Sequence, residues 1–165
     1  MNANTNLCHV DAESTSEPVI VMTRVFDARR EKVWEAFTTP EHVKRWYGGH
    51  GFSNPLCEMD VRPGGHWRHI MRTPDGSEYP LDLVFIEVIK PERLVWQDSN
   101  FGKSTASGKP TSRMEITFED LGAQTRWTMV ATFPSLAARD LTRQMGFARV
   151  VSEGAEKLND LVKAL

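Results

Sequence analysis

Cysteine, surplus charge and long apolar runs are all scarce in this sequence, and each shortage excludes something. Only two cysteines occur, Cys8 and Cys57. One lies in a polar N-terminal segment and the other in a strand-like stretch. Nothing demands that they pair, so both read as reduced thiols. Twenty basic and 22 acidic side chains leave a net charge of −2. That balance lacks the basic surplus of a nucleic-acid binder. No apolar run approaches the roughly 20 residues of a membrane span. Met1 to Glu17 has neither an early positive charge nor an apolar stretch. No secretory leader is expected, and the cytoplasm is the expected compartment.

What is present is the composition of one folded domain. The chain has 165 residues, 40% hydrophobic and 25% charged, enough to bury a core without metal or disulfide staples. Residues 1–17 are rich in Asn, Thr, Ser and Glu, which predicts a mobile tail ahead of a domain at 18–165.

Val19 to Phe26 is apolar and β-branched, a strand signal. Asp27 is the expected N-cap of a short helix carrying Val33, Trp34, Ala36 and Phe37 at helical spacing. Thr39-Pro40 restarts a second short helix, with Val43, Trp46 and Tyr47 on its apolar side, and Gly48-Gly49 ends it. From about residue 55 to 133 short strands alternate with turns. The expected strands are Cys57 to Arg62, His66 to Arg72, Leu81 to Ile89, Arg93 to Asp98, Arg113 to Glu119 and Thr125 to Phe133. Pro63-Gly64-Gly65, Pro74-Asp75-Gly76 and Pro91-Glu92 mark turns, and 99–112 reads as a loop. An antiparallel meander follows from this pattern.

The C-terminus is helical. At about 100° per residue, Phe147, Val150, Val151, Gly154, Ala155, Leu158, Leu161, Val162 and Leu165 share an arc of roughly 140°. Such a face must pack on something apolar, and the sheet is the candidate. The fold class is α+β, a helix-grip fold: a curved antiparallel sheet around a long C-terminal helix, with two short helices after strand 1.

The order of elements and several local motifs resemble the SRPBCC (START-like) superfamily, and within it the activator of heat-shock-protein-90 ATPase homologue family. The resembling segments are Phe26-Asp27-Ala28 ahead of Val33-Trp34-Glu35-Ala36-Phe37, and Thr39-Pro40-Glu41-His42 leading to Trp46. They continue with Val61 to Trp67 across Pro63-Gly64-Gly65, Pro74-Asp75-Gly76 and Pro91-Glu92-Arg93-Leu94. Ile116-Thr117-Phe118-Glu119 with Thr125-Arg126-Trp127 completes the set. The match covers about residues 18–165. Arg29 and Phe147 depart from the proline and tryptophan frequent in that family. The resemblance implies a cavity between the sheet and the last helix, and does not imply one activity.

Alternation assigns the inner face of each strand. Trp67, His69 and Met71 share one side, and His66, Arg68 and Ile70 the other. Trp96, Met114, Trp127 and Met129 are expected on the same inner face. With Phe147, Val151 and Gly154 from the helix they either line a ligand cavity or fill a plain core. Asp82, in phase with Val84, Ile86 and Val88, is expected inside with His69. An imidazole and a carboxylate in an apolar pocket are the weak candidates for acid–base chemistry. Asp140, Arg143 and Gln144 would sit at the pocket mouth if no break occurs at Gly146.

Metal binding is not expected, because His66 and His69 point to opposite sides of a strand and no cysteine or carboxylate cluster accompanies any histidine. No cofactor is expected, and no phosphate loop or nucleophile elbow is present. Three functions remain: a binding protein for a small apolar or aromatic molecule, an enzyme of the polyketide aromatase/cyclase type using His69 and Asp82, and a co-chaperone-like interaction domain. A second copy of the chain and a chaperone remain as conceivable protein partners.

Overall fold

Eight antiparallel strands form one sheet in the spatial order β1-β2-β8-β7-β6-β5-β4-β3. The structure, a computed structural model, describes residues 16–102 and 111–165, and of the first fifteen only the backbone of 9–11. The strands are β1 (His9–Asp11), β2 (Val19–Phe26), β3 (Ser53–Met59), β4 (His66–Arg72), β5 (Glu78–Ile89), β6 (Arg93–Asp98), β7 (Arg113–Asp120) and β8 (Thr125–Thr132). The helices are α1 (Arg30–Thr38), α2 (Pro40–Trp46), α3 (Leu136–Gln144) and α4 (Phe147–Ala164). The expected order of one strand, two short helices and six strands holds from β2 to β8, ahead of a helical C-terminus. Within the segment expected to be a tail, β1 pairs with β2 through His9 opposite Thr23. The rest of residues 1–15, with Cys8, lies outside the described residues, as do 103–110 of the expected loop.

Three local expectations are corrected. Asp27 does not cap α1. The N-cap is Arg29, with no side-chain bond, and Asp27 instead ties the end of β2 to α4. Its amide donates to Asn159 Oδ1 at 2.9 Å, and its carboxylate accepts from Asn159 at 3.1 Å and from Gln124 at 3.0 Å. The strand expected at Cys57 to Arg62 is displaced toward the N-terminus, because Asp60 to Gly65 folds into the turn. There Arg62 Nε donates to Asp60 at 2.8 Å. The helical tail is two helices rather than one. Gly146 adopts φ +88°, which only glycine takes readily, so α3 ends and α4 starts in a new direction. Asp140, Arg143 and Gln144 therefore do not continue the α4 face.

The register lays the core out in rows. Trp96 opposes Phe85 on one side and Met114 on the other, Met114 opposes Ala131, and Ala131 opposes Ile20. The next row runs Leu94, Ile116, Met129 and Met22. These inner faces are closed by α1, α2 and α4 through Val33, Phe37, Trp46, Leu158 and Val162, all buried. Each such side chain contributes on the order of 1.5–3 kcal/mol by leaving water.

Candidate functional site

The space between sheet and helix is walled by aromatic rings on the β4–β6 side. Trp67 stacks on Phe85 with centroids 6.0 Å apart, and meets Trp96 edge-on at 5.1 Å. Tyr47, just past α2, contacts Trp67 at 5.6 Å and His69 at 4.5 Å.

His69 is held by a directed chain. Trp67 Nε1–H donates to its Nδ1 at 3.2 Å, so Nδ1 is the acceptor and Nε2 carries the proton. Nε2 then donates to Asn54 Oδ1 at 2.7 Å. The Asn54 amide donates to the Lys44 and Tyr47 carbonyls at 2.8 and 3.0 Å. A side chain only 1% exposed cannot be charged cheaply. Burial, and secondarily the Lys44 ammonium, bring its pKa down from 6.5 to about 4. His69 is thus a neutral strut that pins the loop after α2 to the sheet. Tyr47 beside it has its phenol pushed up by burial, and next by the Asp98 carboxylate. Asp98 ends β6 opposite Leu83 and accepts from Ser112 N at 2.7 Å.

Asp82 does not join His69. It stands on the outer face, exposed, opposite Arg68, with His66 Nδ1 at 3.5 Å and the Ser99 hydroxyl at 3.2 Å. The reason is a bulge between Phe85 and Glu87 where β5 meets β6. Leu81, Leu83 and Phe85 face inward before it and Val88 after it, so counting back from Val88 inverts the phase. The proposed acid–base pair therefore does not form.

The other candidates fall as follows. Trp67, Trp96, Trp127 and Met129 are buried on the inner face, and Met71, Met114, Phe147 and Val151 are half-buried. Gly154 opens no cavity. A Cβ there would lie 3.0 Å from Gly48 O and 3.2 Å from Trp46 O, so glycine lets the helix backbone approach the loop after α2. Cys57 is buried, a free thiol pushed up to about 11 chiefly by that burial. Among the described residues no group of three His, Cys, Asp or Glu side chains could hold a metal ion.

Burial along α4 is graded. Ala155, Leu158, Leu161 and Val162 are buried, whereas Phe147, Val150 and Val151 on the same arc are only half-buried. Two surface depressions lie away from the N-terminal half of α4, the larger at the C-terminal end of that helix beside Val162. One of about 550 Å³ is lined by Asp27, Arg29, Lys32 and Lys163 among others, and one of about 270 Å³ by Glu58, Asp60, His66 and Arg68 among others.

Sequence reasoning missed a residue on this face. Arg24 is 6% exposed and alternates in phase with Ile20, Met22 and Phe26. Its guanidinium lies 5.6 Å from the Phe26 ring centroid. Its Nε and Nη1, and Nε1 of Trp127 opposite it on β8, have no hydrogen-bond partner.

Comparison with known proteins agrees with this architecture. No curated protein sequence matches the chain. A solved structure from Nitrosomonas europaea superposes with a TM-score of 0.82 at 26% identity, over 90% of this chain and 96% of that one. One from Rhodobacter sphaeroides gives 0.84 at 20% identity, over 97% and 100%. An AHSA1-like protein from Aeromonas hydrophila gives 0.67 at 16% identity, over 86% and 93%. The model of the family described as activator of Hsp90 ATPase homolog 1-like protein matches residues 27–163, and the chain belongs to that family.

Proposed function

We propose that the protein binds a small, largely apolar molecule between the sheet and the N-terminal half of α4. The observation that carries this reading is the burial gradient along one continuous apolar face. A helix serving only as core filler gains from sealing its whole face, at about 25 cal/mol per Å² of apolar surface. Here the face is sealed from Gly154 to Val162 and left partly open at Phe147, Val150 and Val151. Half-buried Met71, Met114 and Tyr47 lie on the opposing side, and thioether and aromatic side chains adapt readily to an apolar guest. Catalysis by His69 with Asp82 is not part of the reading, since Asp82 lies outside and the His69 ring nitrogens are both engaged.

Native mass spectrometry of freshly purified protein tests the proposal. The expected result is an additional mass of a few hundred daltons that is lost on denaturation. In Val151→Trp, whose bulkier indole would compete with a guest for this face, that mass should be reduced. A bare protein mass, with no thermal shift across a panel of lipids and aromatic compounds, would overturn it.

A further inference from the structure

The inner face holds one feature that neither the core nor the His69 chain uses. Arg24 is more than nine-tenths buried, yet among the described residues it makes no ion pair, and two of its nitrogens have no partner. A guanidinium withdrawn from water without a carboxylate is costly, so natural cores pair it or leave it exposed. Asp27, three residues on, feels the Arg24 charge, but that carboxylate is committed to Gln124 and Asn159. Phe26 offers its ring face to the cation but accepts no N–H bond.

Trp127 adds the second half. It is directly opposite Arg24 in the β2–β8 register, 3% exposed, and its indole N–H is also unpartnered. Residues opposite one another on an antiparallel pair have Cβ atoms about 4.5–5.5 Å apart on the same face. Two unpartnered donor groups therefore lie on the same inner face, on residues opposite one another in the register, in the apolar core that holds Met22, Phe26 and Met129. Donors alone select a ligand that is acceptor-only, and the positive charge selects an anionic one. Guanidinium geometry matches a carboxylate in particular.

We propose that Arg24 and Trp127 form an internal carboxylate site, and that the molecule bound between the sheet and α4 is an amphipathic carboxylic acid whose head rests on them. This rests on the binding reading above and names the chemical class of its ligand.

The probes are decanoate and 1-decanol, which share a chain and differ in the head. Binding to the full-length protein is followed by titration calorimetry at neutral pH. Decanoate should bind about tenfold or more tightly than the alcohol, the worth of one charge-assisted hydrogen bond. Arg24→Met should abolish that preference, the acid and the alcohol then binding within about twofold of each other, a difference of under 0.5 kcal/mol. The same variant supplies a second readout without any ligand. If Arg24 waits for a ligand, removing its uncompensated charge raises the urea midpoint; if it is a structural residue, the midpoint falls. Equal affinity for acid and alcohol, or a lowered midpoint in Arg24→Met, overturns the head-group site while the apolar pocket stands. Failure of both probes to bind, together with a bare native mass, overturns the pocket and the head-group site with it.

Discussion

Protonation of His69 should be the pH-sensitive element of this fold. Its ring is buried and neutral, accepting from Trp67 and donating to Asn54. A second proton would have to displace the Trp67 hydrogen bond and place a charge in an apolar wall close enough to the Lys44 ammonium to feel it. The folded pKa is about 4, against 6.5 for the unfolded side chain. The unfolded state therefore takes up its proton first as pH falls. The stabilisation is fully present above pH 6.5 and is lost progressively as pH drops toward 4. A shift of one unit corresponds to about 1.4 kcal/mol, so some 2 kcal/mol should disappear between pH 7 and pH 5 from this residue alone.

The perturbation is His69→Gln, compared with the unsubstituted chain in urea titrations at pH 7, 6 and 5. Glutamine can still accept and donate within the chain, but does not titrate. The variant is expected to be less stable at pH 7 by about 1–2 kcal/mol, because it satisfies Trp67 and Asn54 with poorer geometry. Its stability should then fall less steeply, closing the gap by pH 5. The remaining ionisable groups are common to both proteins and cancel in the difference. Parallel pH profiles, or an NMR titration of the His69 ring centred near 6.5, would refute the reasoning.

Three further outcomes follow from packing. Gly154→Ala should lower the urea midpoint, since a Cβ at 3.0 Å from Gly48 O and 3.2 Å from Trp46 O must move backbone, and overpacking of this kind costs about 1–3 kcal/mol. Helix propensity acting alone would instead raise the midpoint by up to about 1 kcal/mol, so the sign of the shift decides. Gly65→Ala should be more damaging, because its Cβ would fall 2.0 Å from Asp60 O; circular dichroism and solubility should show loss of the fold, and a native spectrum would contradict the turn geometry. Amide hydrogen exchange should be faster over Phe147–Glu153 than over Ala155–Val162, following the burial gradient, whereas uniform protection along α4 would mean that the helix is seated equally at both ends.

Much of this architecture is legible in the sequence, where periodicity is unbroken. β7 and β8 alternate cleanly and β4 does so through His69, and Trp67, His69, Trp96, Met114, Trp127 and Met129 fall on the inner face as alternation places them, although β6 is buried at Leu94, Val95 and Trp96 alike. β5 misleads because a bulge is invisible to a period-two count: Val88, Ile86 and Val84 look continuous, yet Ile86 is 40% exposed and Asp82 stands outside. Arg24 hides for the opposite reason. β2 is apolar on both faces, so nothing in Val19 to Phe26 reveals which parity is inward until α1, α2 and α4 are in place. Only then does a charged residue in phase with Ile20, Met22 and Phe26 become conspicuous. Gly154 could be placed on the helix face but its purpose could not, because the atom it makes room for, Gly48 O, is more than a hundred residues away in sequence.

The two halves of α4 are held by different kinds of contact, which accounts for the half-open interface. Beyond Gly154 the helix is fixed by complementary shape and paired polar groups: Leu158 and Val162 in the core, and Asn159 bonded twice to Asp27. At Gly154 itself the backbone rests against the loop after α2. That contact is flanked by Glu153 accepting from His50 N at 2.9 Å and Lys157 donating to Gly49 O at 2.8 Å. Before Gly154 the interior contacts are apolar and incomplete, Phe147 meeting Phe133 edge-on at 6.0 Å, and the helix begins at the left-handed Gly146. Directional bonds tolerate little displacement, whereas apolar contacts of Phe147 and Val151 can be exchanged for contacts with another apolar molecule at small net cost. A guest entering beside Phe147 would therefore displace only side chains of the first two turns of α4, with Gly146 taking up the change toward α3, and leave the Asn159 and Gly154 anchorage undisturbed. The Arg24–Trp127 donors lie toward the fixed end, three residues before the Asp27 that Asn159 holds, so a head group resting on them, as proposed, would leave its chain running along the interface toward Phe147.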